Sequence, residues 1–276
     1  MSRLFEALQQ SSGMPVAPGI PDAIEVLRDY SGSADLEGAR PLLLANVPGR
    51  RLVSLDEGNS AGAEKFRLLA TRMKYLQEQL GFKKVVVTSC TGAEGKSLTM
   101  ANLAISLAVN RQRVLLIDGD LRQRTLARLF DVAGSTGIAE WVQGNSPAMK
   151  YLLRAHYLPL WLLPAGRPTA QPAMILKPYK VAELISQLSG SFDWVLIDSP
   201  PMIPFAESVM WAAASDRVLL VAREGVTPRR LLKRTLDAID KRKLLGTVLN
   251  DTSSADEERY YRYYAPKSGI AVKAGA

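Results

Sequence analysis

Lys96 and Ser97 follow a run of small residues, Thr88-Ser89-Cys90-Thr91-Gly92-Ala93-Glu94-Gly95. Small residues let backbone N–H groups come close to phosphate oxygens, and a helix opening at about Gly95 adds its positive end. At this spacing Lys96 can reach the β- and γ-phosphates of a nucleoside triphosphate and Ser97 can ligate Mg²⁺. The strict pattern G-x4-G-K-[S/T] has Gly where this chain has Cys90, a residue small enough to preserve the close approach. Asp118 and Asp120 follow the apolar run Leu115-Leu116-Ile117. Two carboxylates at i, i+2 off a strand end can face one crevice, one holding metal-bound water and the other taking a proton from an attacking hydroxyl. The plainer alternative is a solvated acidic turn. Asp198 closes a second apolar run, Val195-Leu196-Ile197, and is of Walker-B type, a carboxylate that orients Mg²⁺ or its water. Asn250 ends the last apolar run; its amide either hydrogen-bonds an adenine edge or caps the turn before Asp251.

A second unusual feature lies near the end of the chain. Tyr260, Tyr261, Tyr263 and Tyr264 fall within five positions, interleaved with Arg262 and preceded by Asp256-Glu257-Glu258-Arg259. They read as phosphorylation sites, as aromatics for stacking on nucleic acid, or as a cluster that docks on the domain. The single Cys, Cys90, fills a steric slot, and the single His, His156, reads as a surface or loop residue. The four Trp are scattered and read as packing residues.

These groups need strands and helices to position them. A helix is expected from Ala61 to Leu80, where Phe66, Leu69, Met73, Leu76 and Leu80 recur three or four apart, with Gly81 as its stop. Strands are expected at Lys84–Ser89, Arg113–Asp118, Leu160–Leu163, Trp194–Asp198, Asp216–Ala222 and Leu245–Asn250. Helices are expected at Gly95–Val109, Gln123–Phe130, Ile138–Gln143, Val181–Ser189, Ala206–Ala214 and Pro228–Lys241. Strands that are apolar on both faces and joined by helices imply an α/β fold, a mostly parallel sheet covered on both sides. Ligands then bind at the carboxyl ends of the strands, where the Lys-Ser loop and both acidic motifs fall. Residues 1–59, punctuated by Gly and Pro, read as a flexible extension in which Arg51–Leu55 is a strand or merely extended. Residues 251–276 read as a mobile tail.

The 276 residues suffice for one α/β domain with decorated ends, and 47% hydrophobic content supports a full core. One Cys and one His exclude a disulfide framework and a Cys/His metal cluster. Neither a signal peptide nor a run of about 20 apolar residues is present. The net charge of +8 fits either a moderately basic protein or one drawn to an acidic surface.

Taken together, the motifs resemble those of the bacterial tyrosine kinases that control capsule and exopolysaccharide assembly. The family's loop TSxxPGEGKS is TSCTGAEGKS here, from Thr88 to Ser97; its apolar triplet and DxDxR match Leu115 to Arg122; its DSPP motif matches Asp198 to Pro201. Leu163-Pro164-Ala165-Gly166 and Gln171-Pro172-Ala173-Met174-Ile175-Leu176 look like the family's LPAG…NPAELL. The resemblance spans about Glu64 to Tyr264. It implies a P-loop NTPase fold of MinD/ParA-like arrangement over residues 60–250, with ATP and Mg²⁺ as cofactors. By position, Thr91, Gly92, Ala93, Glu94, Gly95, Lys96, Ser97, Leu98 and Asn250 would line the nucleotide, and Ser97, Asp120 and Asp198 would hold the metal. Asp118 would act on the incoming tyrosine hydroxyl, and Arg122 would fix the acidic loop or touch a phosphate. Tyr260, Tyr261, Tyr263 and Tyr264 would be the acceptors, most simply in a neighbouring subunit.

The resemblance further implies a homo-oligomer, a membrane-bound polysaccharide co-polymerase as activator, a protein tyrosine phosphatase as counterpart, and no nucleic acid. Without a fused membrane segment, the chain looks like the stand-alone type, cytoplasmic and held at the inner face of the plasma membrane through its partner. The family's ring-forming ExxRxxR is altered: Glu64 and Arg67 match, but the third position is Ala70, with Arg72 two residues on. Two other classes compete. A MinD/ParA-type positioning ATPase shares the fold but carries a second Lys five residues before the first, where this chain has Thr91. A non-catalytic regulator would not need the intact Lys-Ser and acidic positions.

Overall fold

The computed structural model describes residues 36, 38–44, 51–55, 60–168 and 172–252. The first 35 residues and all four tail tyrosines lie outside that set. The described chain runs β1 (Arg40–Leu42), α1 (Ala61–Leu80), β2 (Lys84–Ser89), α2 (Lys96–Val109), β3 (Val114–Asp118), α3 (Thr125–Leu129) and α4 (Ile138–Gln143). It continues through β4 (Leu153–Ala155), β5 (Leu160–Leu163), α5 (Pro172–Ile175), α6 (Pro178–Leu188), β6 (Trp194–Asp198), α7 (Ala206–Ala214), β7 (Arg217–Arg223), α8 (Arg229–Ala238) and β8 (Leu244–Asn250).

The eight strands form one sheet in the order β1-β4-β5-β3-β6-β2-β7-β8. All pairings are parallel except β4 with β5, so β4 and its parallel neighbour β1 run against the other six. The expected mostly parallel sheet is therefore present. Successive strand residues point to opposite faces, and the core divides accordingly. Val86, Leu115, Ile117, Val195 and Ile197 meet α6, α7 and α8 on one side, with Leu184, Trp211 and the partly buried Leu231, Leu232 and Leu236. Val85, Val87, Val114, Leu116 and Leu196 meet α1 and α2 on the other, with Met73, Met100, Leu103 and Leu107.

α1 has the expected bounds because both its ends are specified locally. Ser60 Oγ accepts the N–H of Ala63, and Gly81 stops the helix with φ 63°, its N–H reaching Gln77 O. α6 starts earlier than expected, with Pro178 in its first turn, where the missing N–H costs nothing. α8 is shorter than expected at both ends, with Pro228 as its N-cap.

Three corrections concern residues before the expected domain boundary at 60. Arg40–Leu42 is a strand, pairing in parallel with Leu153–Ala155. Val53–Leu55 is a 3-10 helix, neither strand nor extended. It sits on α2, where Ser54 N–H donates to Asn102 Oδ1 (2.9 Å) and Asn102 Nδ2 donates to Arg51 O (3.1 Å). Leu42 and Leu52 are buried in the α1/α2 side of the core. The folded unit thus recruits these segments because the sheet edge and α2 offer apolar surface that the rest of the chain leaves uncovered. Among the described residues, no helix is long and apolar enough to cross a membrane.

Candidate nucleotide and phosphoryl-transfer site

β3, β6 and β2 are adjacent at the centre of the sheet, and their carboxyl ends deliver the site. Asp118 and Asp198 are register partners across β3 and β6. The loop after β2 turns with Ala93 at φ 62° and Gly95 at φ 86°, then feeds α2. A Cβ on Gly95 would collide with Asn250 Nδ2, so this position needs glycine for space as well as for its backbone angle. A cavity of about 740 Å³ opens here, its wall including Gly92, Ala93, Gly95, Lys96, Ser97, Leu98, Asp120 and Arg122.

Lys96 is the hub. Its Nζ lies 3.0 Å from Asp120 Oδ2, 3.3 Å from Asp198 Oδ1 and 3.2 Å from Ser97 Oγ, all in buried surroundings. Burial disfavours its charge, but Asp198 and Asp120 outweigh that and raise its pKa. Burial also raises the carboxyl of Asp198; the Lys96 charge and the Ser97 hydroxyl oppose this without cancelling it. Asp118 is pushed well above the usual carboxylate range, first by burial and then by Asp198 and Asp120. Asp118 Oδ1 and Asp198 Oδ2 are buried without a hydrogen-bond partner. Unpaired buried acceptors beside a cluster of carboxylates suit a cation. No group of three or more His, Cys, Asp or Glu among the described residues is arranged as a metal cage. Mg²⁺ typically needs only one or two carboxylates besides phosphate oxygens and water, and Ser97, Asp120 and Asp198 meet that requirement.

The two acids of the Asp118-Gly119-Asp120 motif do not share one crevice. Gly119 N–H bonds back to Ile117 O (3.1 Å), which ends the strand. Asp120 turns to the cavity wall, where its Oδ1 accepts the N–H of Arg122 (3.3 Å) and Gln123 (3.0 Å). Asp118 stays in the sheet, fully buried like Asp198 and, like it, off the wall, with Oδ2 accepting Ala127 N–H (3.3 Å). Gly119 is required by its neighbours: a Cβ there would lie 2.7 Å from Asp198 O and 2.7 Å from Trp211 Nε1. The Trp211 indole N–H itself donates to Gly119 O (3.1 Å).

Three loop assignments change character. Glu94 points inward, and Thr91 and Asn250 are not on the cavity wall. Glu94 Oε2 accepts the N–H of Cys90 (2.7 Å) and Thr91 (3.1 Å), and Oε1 accepts the hydroxyls of Thr91 (3.0 Å) and Thr227 (2.6 Å). Asn250 Nδ2 donates to Glu94 O (3.0 Å), so its amide braces the loop. Cys90 is buried and its thiol is raised by burial, in keeping with a steric role. Arg122 is anchored to Glu207 of α7: its Nε (3.1 Å) and Nη2 (2.7 Å) both donate to Glu207 Oε1, and its guanidinium lies 4.7 Å over the Phe205 ring. The sequence reading missed Glu207. It is the one charged residue in the otherwise apolar α7, AESVMWAAA, and that isolation was the available signal.

A family profile described as Cellulose biosynthesis protein BcsQ matches residues 82–256. The chain belongs to that family. Its curated relatives narrow the branch. Tyrosine-protein kinase YwqD of Bacillus subtilis is 28% identical over 226 residues, covering 81% of this chain and 95% of that protein. The succinoglycan biosynthesis transport protein ExoP of Rhizobium meliloti is 29% identical over 78% of this chain, which spans only 28% of ExoP. Among solved structures, the VpsO kinase domain is 28% identical with a TM-score of 0.60, covering 68% of this chain and 95% of that one. The MinC:MinD complex of Aquifex aeolicus follows at 26% and 0.55, covering 64% and 72%. These relatives set the chain among the bacterial tyrosine kinases, on the MinD-like P-loop fold.

Proposed function

We propose that this bacterial tyrosine kinase is an autokinase that transfers the γ-phosphoryl group of ATP to Tyr260, Tyr261, Tyr263 and Tyr264 of a neighbouring copy. The observation that carries this reading is the buried Lys96 bridge between Asp120 and Asp198, set beside a phosphate loop at the mouth of a cavity. Backbone N–H groups from Gly92 to Ser97 and the positive end of α2 hold the phosphates. Ser97, Asp120 and Asp198 hold Mg²⁺, which supplies charge neutralisation for the transferring group. Lys96 serves the β- and γ-phosphates. Asp118 receives the tyrosine proton. Of the three acids it alone has no ion pair to Lys96, and a phenol with a pKa near 10 needs a proton acceptor during transfer. Its burial sets a condition: an acceptor hydroxyl reaches it only after the surrounding groups have opened a path.

The wider setting belongs to the same reading. The kinase regulates exopolysaccharide or capsule polymerisation, works at the inner face of the plasma membrane through a membrane-bound co-polymerase, and is reversed by a tyrosine phosphatase. The name of ExoP, a succinoglycan biosynthesis transport protein, supports the polysaccharide setting. Self-association would not use an intact ExxRxxR: Glu64 and Arg67 pair with each other (2.6 Å), and Ala70 faces the core. The MinD-type alternative is disfavoured by Thr91, whose hydroxyl is committed to Glu94.

The test is incubation with Mg-ATP followed by phosphotyrosine detection and mass spectrometry. The parent chain labels its tail. Lys96→Met does not label itself but is labelled when mixed with parent chain. Equal self-labelling of both proteins, or rapid ATP hydrolysis without phosphotyrosine, overturns the reading.

A further inference from the structure

α8 presents a sharply divided surface. Leu231, Leu232, Thr235 and Leu236 face the sheet, whereas Arg229, Arg230, Lys233 and Arg234, with a single acid, Asp237, are exposed on the opposite side. None of those four cations is in an ion pair among the described residues. Stability of the helix does not explain them: two arginines open its first turn, which has no acidic residue, so they add to the positive end of its dipole. A face of this kind calls for an anion.

The chain itself delivers one. β7 and β8 are parallel, so β8 finishes at the end of the sheet where α8 begins. Asp251 is paired with Arg223 (2.5 Å), Glu224 N–H donates to Asn250 O (3.0 Å), and Arg223 N–H donates to Thr227 Oγ1 (2.8 Å), one residue before Pro228 caps α8. The chain beyond Thr252 thus departs beside the first turn of this helix. Four residues later comes Asp256-Glu257-Glu258. Four residues span at most roughly 14 Å, and Lys233 lies only about 6 Å along the helix from Arg229.

We propose that the exposed basic face of α8, formed by Arg229, Arg230, Lys233 and Arg234, is the docking surface for the acidic triplet Asp256-Glu257-Glu258 of the same chain. The tether favours this occupant over a lipid surface or a second protein. A tether of a few residues gives its end an effective concentration on the order of millimolar, enough for a few exposed ion pairs to be populated. Docking places the tyrosines, which start two residues after the triplet, beside their own domain at the carboxyl end of the sheet. Under the kinase reading above, each phosphate adds about 1.5 to 2 negative charges next to the triplet and tightens the contact. A phosphorylated tail would then be retained in cis and withdrawn from neighbouring copies.

Zero-length cross-linking of lysine amines to carboxylates, read by mass spectrometry on the full chain without nucleotide, tests the contact independently of catalysis. The expected product joins Lys233 to Asp256, Glu257 or Glu258, with a yield unchanged on tenfold dilution and lost in 0.5 M salt on the order of a Debye length of a few ångströms. Lys84–Asp216, 3.0 Å apart, is the internal control. In Arg229→Gln/Arg230→Gln/Arg234→Gln, which keeps Lys233 as reporter, the product falls at least several-fold while the control is unchanged. Absence of the product with the control intact overturns the inference, as does a yield that tracks protein concentration. So does a chain that forms no such product but sediments with anionic vesicles through the same arginines. Failure of tail phosphorylation with the cross-link present would instead count against the kinase reading alone.

Discussion

Glu94 offers the sharpest test of how the phosphate loop is built. Among the described residues its carboxylate is buried without a cationic partner and takes four hydrogen bonds, two from the loop's own N–H groups, one from the Thr91 hydroxyl and one from Thr227 on the lead into α8. Glu94→Gln keeps one acceptor oxygen, and the two threonine hydroxyls can rotate to accept from the new amide. What is lost is charge assistance, so the expected cost is about 1–2 kcal/mol. Glu94→Ala leaves the N–H groups of Cys90 and Thr91 buried with no acceptor. Each orphaned donor costs about 1–3 kcal/mol, so about 2–6 kcal/mol is expected in total. Chemical denaturation of the three proteins measures the stability ranking, and titration with a fluorescent ATP analogue measures the loop. Both variants should weaken nucleotide binding in the same order as their stability. If Glu94→Ala lies within about 1 kcal/mol of Glu94→Gln, with equal nucleotide affinity, the carboxylate is not the brace described here.

Asp118→Asn is expected to be more stable than the parent at neutral pH. The folded state raises this carboxyl above its ordinary value of 3.8 through burial, Asp198 and Asp120, so it binds more protons than the unfolded chain as pH rises above 3.8, and stability falls through that window. Denaturation midpoints across pH should show a flatter decline in the variant; an unchanged slope would falsify the assignment. Asp193 acts in the opposite sense, because Arg113 outweighs burial and lowers it. Its contribution is lost as pH drops below 3.8, so Asp193→Asn should destabilise the parent at neutral pH and converge with it in acid. Gly119→Ala forces a methyl against Asp198 O and the Trp211 indole. Overpacking of this kind costs about 1–3 kcal/mol. A lower melting temperature with altered tryptophan emission is expected, and a fully parent-like protein would show that the turn gives way freely.

The parts legible in the sequence were those with enough local pattern. α1 carried a twenty-residue period with both caps, and β3 and β6, each four apolar residues closed by an Asp, were long enough to be read as buried strands. β1 and β4 were not seen because three residues hold too little alternation to stand out, and the partner of β1 lies more than a hundred residues away in sequence. The Lys96–Asp120–Asp198 cluster followed from strand order and motif spacing. The separation of Asp118 from Asp120 did not, because i, i+2 geometry holds only while the strand continues, and Gly119 ends it. The inward turn of the Glu94 side chain and the brace from Asn250 were not legible either. Whether a side chain turns inward is decided by unpaired N–H groups on the inside, which no motif records.

Lys96 has one ammonium and two buried carboxylates to satisfy, and this makes the cluster a coincidence detector. Under the proposed reading, a triphosphate arriving alone would draw the lysine away and strand Asp120 and Asp198 without compensation. A divalent cation arriving alone would meet a positive charge already seated between them. Only the two together leave every charge matched. Metal and nucleotide affinities should therefore be mutually dependent, each weak until the other is present, with the lysine acting as the exchangeable counter-ion that enforces the pairing.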